Sequence, residues 1–326
     1  MATIKDVAKY AGVSVATVSR YLNQGYISEK ARMQVEDAIK ELGYRPSIIA
    51  RSLNTKQTNA IGLIIPDITN PFFPELARAV EDAAYENGYT VILCNTDEQA
   101  EKERQYIETL TRKYIAGIIL ATNELDKEYY KSLNVPLVAL DRSIGEGFPT
   151  VMTQNIEGAK LGSEFLLRQQ INHLVCLRGP DGLKPADDRL KGFLQATETS
   201  QIKTTILECP FDFNEAEQIV FKLLKEDSSI DAIFACSDVS AIGALKAAHS
   251  LKITVPDQLQ ILGFDGIMLG QMTTPGLSTV AQNIYELGSK ATKLLIKQID
   301  GELLEQMTEF VAPQLTIRDS TKGAIQ

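Results

Sequence analysis

Residues 3–23 read TIKDVAKYAGVSVATVSRYLN. Ile4, Val7, Ala8 and Ala11 fall at the i, i+3, i+4, i+7 spacing of one helix face, and Thr3 with Asp6 forms a capping-box-like start. Gly12 ends this helix. Ser14 is placed to cap a second, in which Val15, Val18 and Leu22 fall on one face. A small residue at the crossing (Ala8), a glycine in the turn (Gly12) and an aliphatic wedge (Val18) are what a helix-turn-helix requires. A third helix, from near Ser28 to Leu42, uses Ala31, Val35, Ala38, Ile39 and Leu42 before Gly43 stops it, which completes a small core.

Charge supports a nucleic-acid role for this head. The 326-residue chain carries a formal net charge of −9, yet residues 1–59 hold nine Lys/Arg against five Asp/Glu, so the head is at +4 and the other 267 residues at −13. A basic head on an acidic body seeks phosphate locally without coating DNA indiscriminately. In the second helix Val15, Ala16 and Arg20 are expected to face a major groove, Arg bridging guanine N7 and O6 and the small apolar groups touching thymine methyls. Thr17 and Ser19 are expected to bind phosphate or to pack.

From Ala60 the pattern changes to short apolar runs alternating with amphipathic stretches: 61–65, 90–93, 117–120, 137–140, 174–177, 232–235 and 260–263. Strand, helix, strand is the signature of a parallel sheet. So many units exceed one doubly wound sheet, and two similar lobes are expected, with a first break near Thr153-Gln154-Asn155 and a return near Gln282-Asn283. Ligands of such folds bind at the carboxyl ends of strands, where this chain places Asp67, Asn70-Pro71-Phe72-Phe73, Asp141-Arg142, Ser237-Asp238 and Asp265. Carboxylates accept from vicinal hydroxyls, Arg and Asn add bonds, and Phe rings cover the apolar face of a sugar. Taken singly, each has a plainer use: a helix cap, a turn with two core rings, an ion pair.

The stretch quoted above, followed by LGYRPSIIARSL at 42–53, resembles the head of the lactose-repressor family, and the body resembles sugar-specific periplasmic binding proteins and the core of that family over its full length. Within it NPFF, LDR, GFDG and VAQ are most similar to ribose operon repressors. The resemblance implies an α/β fold with an N-terminal helix-turn-helix head and a two-lobed periplasmic-binding-protein-like core of parallel doubly wound sheets. The expected divisions are 1–45 for the DNA-binding head, 46–59 for a hinge helix and linker, and 60–326 for the effector-binding and dimerisation body. Lobe one is expected at about 60–155 and 283–310, and lobe two at about 156–282 and 311–326. The DNA contacts implied are Thr3, Ser14, Val15, Ala16, Thr17, Ser19, Arg20, Asn23, Tyr44, Arg51 and Leu53, with Leu53 wedging into a minor-groove step.

Carried over by motif, the effector contacts are Asn70, Phe72, Phe73, Asp141, Arg142, Phe211, Asp265 and Gln282, with Arg189 and Ser237 as weaker members. Two departures bear on ribose specificity: Asp187 stands where ribose-type binding proteins carry Arg, and Ser237 where they carry Asn. For Arg189 the plainer alternative is an ion pair with Asp187 or Asp188. The expected partners are palindromic operator DNA, a small sugar such as ribose or a related pentose or hexose, and a second copy of the chain. In the runner-up, a catabolite-control-type regulator, the corepressor is a phosphorylated carrier protein or sugar phosphate.

No nucleotide-binding loop or nucleophile elbow is present, so no enzyme is expected. Cys94, Cys176, Cys209 and Cys236 are scattered, and His173 and His249 have no partner at metal-ligand spacing, so neither metal nor cofactor is implied. Without an apolar signal core or an eighteen-residue apolar run, the expectation is a cytoplasmic protein.

Overall fold

The computed structural model describes residues 2–23, 25–44 and 58–323. The chain divides into two compact units, Met1–Thr58 and Asn59–Gln326. The segment expected as hinge lies outside the described residues except for Thr58 and Asn59, and Arg51 and Leu53 lie outside them with it.

The first unit contains α1 (Ile4–Ala11), α2 (Val15–Leu22) and α3 (Glu29–Leu42). Thr3 and Asp6 form the reciprocal capping box: the Asp6 amide donates to Thr3 Oγ1 at 3.4 Å and the Thr3 amide to Asp6 Oδ2 at 2.8 Å. These bonds satisfy two of the amides that a helix start leaves without partners. Gly12 and Gly43 close α1 and α3 with φ of 65° and 56°, a conformation that costs a side-chain-bearing residue more than glycine. The core is thin, made of Val7, Ala8, Ala11, Val18, Val35 and Ala38, so each valine carries a large share of the unit's stability.

The second unit holds two six-stranded sheets. The first sheet comprises β1 (Ala60–Ile65), β2 (Thr90–Asn95), β3 (Gly117–Leu120), β4 (Leu137–Leu140), β5 (Thr150–Thr153) and β11 (Thr308–Val311). Its order is β11-β5-β4-β3-β1-β2, all parallel. The second comprises β6 (His173–Arg178), β7 (Lys203–Glu208), β8 (Ala232–Ala235), β9 (Gln260–Asp265), β10 (Ser278–Ala281) and β12 (Gln314–Thr316). Its order is β12-β10-β9-β8-β6-β7, parallel except for the antiparallel β12. The seven apolar runs read from sequence all fall on strands. The other five strands (TVMT, KTTILE, STVA, TEFV and QLT) are rich in Thr and Ser or alternate in polarity, and three of them close sheet edges, where alternation replaces a continuous apolar run.

Each sheet is covered by helices: α4 (Phe72–Glu86), α5 (Ala100–Arg112), α6 (Lys127–Lys131) and α11 (Ile284–Ile299) in the first lobe, and α7 (Asn155–Leu167), α8 (Lys184–Thr197), α9 (Phe213–Glu226) and α10 (Asp238–Ser250) in the second. Gly288 lets α11 approach α4 closely, since a Cβ there would lie 2.7 Å from that of Ala79. The chain passes between lobes after β5, after β10 and after β11. These crossings place the carboxyl ends of both sheets around one cleft. Among the described residues no helix is long and apolar enough to cross a membrane.

Candidate functional site

Two regions gather the side chains expected to be functional. In the head, Ser14, Val15, Ala16, Arg20 and Asn23 are exposed, while Val18 is fully buried on the opposite side of α2. Residues 15, 16, 19, 20 and 23 follow the i, i+4 rows of one helix face, so the burial of Val18 leaves them outward. Thr17 and Ser19 are half-buried. Ser14 Oγ accepts from the Thr17 amide at 3.1 Å and lies 2.9 Å from Thr17 Oγ1, which fixes the start of α2. Asn23 Nδ2 donates to the Ser19 carbonyl at 2.9 Å and closes its end. Tyr21 OH donates to Glu36 on α3 at 3.1 Å. Thr3 is exposed, its hydroxyl 2.7 Å from Asp6 Oδ2, and Tyr44 is half-buried against the head core.

In the body, a cavity of about 320 Å³ is lined by Asn70, Phe72, Phe73, Asp141, Arg142, Arg189, Phe211, Asp265 and Gln282. It lies in the size class of small-molecule sites. Nine of the ten effector residues expected from sequence thus meet at one place. The tenth, Ser237, does not: it is 1% exposed and caps α10, with its Oγ 3.1 Å from the Ser240 amide and 2.8 Å from Ser240 Oγ. A serine preceding a helix satisfies that helix's orphan amides first, and this local use takes it out of the cavity.

The cavity floor is a buried polar network. Arg189, on α8, donates Nε to Asn155 Oδ1 at 2.8 Å and NH1 to the Cys236 carbonyl at 2.7 Å and to Asp265 Oδ1 at 3.1 Å. Its guanidinium carbon sits 4.0 Å from the centre of the Phe264 ring, a cation–π contact. The ion pairs with Asp187 or Asp188 therefore do not form: Asp187 pairs with Arg178 and Asp188 with Lys184. Gln282 Nε2 donates to Asp265 Oδ1 at 2.6 Å. Arg142, 5% exposed, is met by Glu98 at 3.0 Å and Glu124 at 3.7 Å rather than by Asp141. Phe72 and Phe73 form an edge-to-face pair with centroids 5.1 Å apart.

Electrostatically the site is loaded with carboxylates. Asp67, Asp97, Glu98, Asp141, Asp212 and Asp265 line it against two guanidiniums. Burial pushes the Asp141 carboxyl above the usual range and that of Asp265 up to about 7, with Arg189 opposing both shifts. Asp97, Glu98, Asp141 and Asp265 all have positive φ (52°, 54°, 65° and 128°). Such backbone persists only where its surroundings over-determine it, and it concentrates at sites of function. Asp97, Glu98 and Asp212 were not singled out from sequence. The first two follow β2 and the last follows β7, so the strand-end rule finds them once those strand ends are placed.

Residues 3–47 match the family model described as bacterial regulatory proteins, lacI family, and residues 163–321 match that of a periplasmic binding protein-like domain. A ribose operon repressor of Halalkalibacterium halodurans is 52% identical over 324 residues, covering 99% of this chain and 98% of that one. A solved LacI family transcriptional regulator from Enterococcus faecium with bound ribose is 30% identical, with a TM-score of 0.74 over 80% of this chain and 98% of that one. The lac repressor dimer bound to operator and the anti-inducer ONPF superposes with a TM-score of 0.87 at 26% identity, covering 98% and 99%. A capped helix pair with an outward polar face, a two-sheet body with a cavity at its strand ends, and a full-length relative at this identity lead to one conclusion: the chain belongs to the lacI family of bacterial regulatory proteins.

Proposed function

We propose that the chain is the repressor of a ribose-utilisation operon, binding palindromic operator DNA through α2 and releasing it when ribose fills the body cavity. The observation that carries the sugar reading is a set of unmet hydrogen bonds. Asp141 Oδ1, Arg142 Nε and Gln282 Oε1 are buried, belong to cavity-lining residues, and have no partner among the described residues. Each such group costs about 1–3 kcal/mol until it is satisfied. Two acceptors and one donor together call for groups that both donate and accept, and ring hydroxyls do both. Phe72 and Phe73 add an apolar wall for the sugar face.

The six carboxylates facing two guanidiniums disfavour a phosphorylated effector, so the free sugar is preferred over a sugar phosphate. The ribose named in the H. halodurans repressor and bound in the E. faecium regulator supports the choice of pentose. The cavity binds this sugar without turning it over. One head offers too few base contacts for genomic specificity, so two copies acting on two half-sites about one helical turn apart are required. Val15, Ala16 and Arg20 read base edges, and Ser14, Thr17, Ser19 and Asn23 position the helix on phosphates.

Fluorescence anisotropy with a palindromic operator library at fixed salt, with ribose, ribose 5-phosphate and other pentoses and hexoses as competitors, tests this reading. Release by ribose alone is expected. Unchanged or tighter binding with ribose overturns induction by the free sugar, and a monomer on DNA in sedimentation overturns the dimer.

A further inference from the structure

Asp265 sits on a short stretch of chain that touches both lobes. On the second-lobe side, Asp238 on α10, which is fully buried, accepts from the Gly266 and Ile267 amides through Oδ2 at 2.7 and 2.9 Å. Its Oδ1 accepts from Thr279 Oγ1 at 2.6 Å. This grip holds two consecutive residues with positive φ, Asp265 at 128° and Gly266 at 83°, and so aims the Asp265 carboxylate into the cavity. On the first-lobe side, Ile267 is fully buried and belongs to the first lobe's core, with Leu76, Val80 and Leu287. One residue further, the Met268 amide donates to Glu75 Oε1 at 2.7 Å. Glu75 lies in the first turn of α4, the same turn that supplies Phe72 and Phe73 to the cavity wall, but it does not itself line the cavity.

Four consecutive residues therefore run from the effector contact to the opposite lobe. Because Asp238 fixes one end to the second lobe, a rotation of one lobe against the other has to be taken up at Ile267 and at the bond from Met268 to Glu75. Buried Ile267 resists leaving its core, whereas a single hydrogen bond next to a Met268 that is 55% exposed can exchange for water. We propose that Glu75 is a positioning residue: its bond to the Met268 amide holds the lobes in the arrangement seen here and sets how readily cavity occupancy changes the hold on operator. This rests on the functional reading above. A ligand shifts such an equilibrium only by its differential affinity, so loosening the bond moves sugar and operator affinities in opposite senses, with the larger change on whichever ligand prefers the minor arrangement.

Glu75 has a competing role, a negative charge in the first turn of a helix, and two substitutions separate the roles. Glu75→Gln keeps an acceptor oxygen for Met268 and loses the charge, whereas Glu75→Ala loses both. Operator Kd without sugar and ribose Kd without DNA are measured on the full chain for the wild type and both variants. For Glu75→Ala the two constants are expected to move in opposite directions, at least one by about fivefold or more, with Glu75→Gln staying near wild type. Unchanged constants in Glu75→Ala, a joint loss of both affinities, or an equal effect of Gln and Ala overturns the proposal. If no sugar releases the wild type, the functional reading falls and this inference falls with it.

Discussion

In the head, Arg20 stands in solvent on α2 away from buried Val18, Ser14 and Asn23 are exposed at the two ends of that helix, and its packing is centred on Val18. In the body, Arg189, Asp141 and Asp265 are 3%, 7% and 5% exposed; Arg189 and Asp265 are joined in a buried network, and Asp141 Oδ1 and Gln282 Oε1 have no hydrogen-bond partner among the described residues. The two sites thus treat polar groups in opposite ways. A surface that reads DNA can leave its donors hydrated until phosphates and base edges replace water. A cavity that must discriminate among small polyols dehydrates its groups beforehand, at a cost to stability, so that a ligand lacking one hydroxyl leaves a buried group unpaired. Substitutions in the head should therefore act on operator affinity alone and in moderate steps, and substitutions in the cavity should act steeply on the sugar.

The largest effect expected is that of Asp265→Ala, which removes the acceptor shared by Arg189 and Gln282 and leaves a buried guanidinium without its carboxylate. Ribose Kd should weaken by roughly 100-fold or more while operator Kd without sugar stays unchanged, as measured by anisotropy on the two ligands separately. A parallel loss of operator binding would erase the division between the regions. Next comes Arg20→Ala, expected to weaken operator binding by about 1–3 kcal/mol and to relax base choice at a single position, with the ribose response intact. A uniform loss across all sequences would instead make Arg20 a phosphate contact.

A third effect is smaller and distinguishes the regions by pH. Desolvation pushes Asp265 up to about 7 and Asp238 up to about 6. A carboxyl whose folded pKa is raised takes up a proton on folding between its unfolded and folded values, so these two groups favour the folded state at low pH. That contribution is lost as pH rises from about 4 through 6 to 7. Sugar binding runs the other way, because hydroxyl donors need Asp265 ionised. Ribose Kd should be about tenfold weaker at pH 6 than at pH 8, while operator binding through Arg20 shows no matching step. A flat ribose profile would show that Arg189 keeps Asp265 ionised throughout.

The head was legible almost entirely from sequence, since Thr3, Gly12, Ser14 and Gly43 are local signals acting on helices only a few residues away. In the body the strands with continuous apolar runs were equally legible, and nine of the ten effector residues expected from sequence line the cavity, alongside others such as Asp97, Glu98 and Asp212 that were not expected. The failures had a common physical form. Ser237 satisfied a helix start beside it before any ligand, and Asn155, the partner of Arg189, lies 34 residues away on another element. Local satisfaction and long-range pairing are settled by packing, and a motif at fixed spacing carries neither. The use of Asp238 is of this kind too: its position after a strand was plain, but its grip on the Gly266 and Ile267 amides depends on β8 and β9 lying side by side.

The smallest effect tests whether the head's turn is held by backbone conformation or by packing. Gly12 has φ of 65°, and a Cβ built there meets nothing within 4 Å. Gly12→Ala should therefore create no clash and cost only the left-handed conformation, about 1 kcal/mol. That loss should appear in the full chain as faster amide exchange across α1 and α2, with exchange in the body's strands unchanged. Operator affinity should fall by no more than about the same amount, because Ser14 still caps α2 and Val18 still wedges it against α1 and α3. A much larger loss would mean that DNA occupies the space beside Gly12, which would extend the recognition surface from α2 into the turn itself.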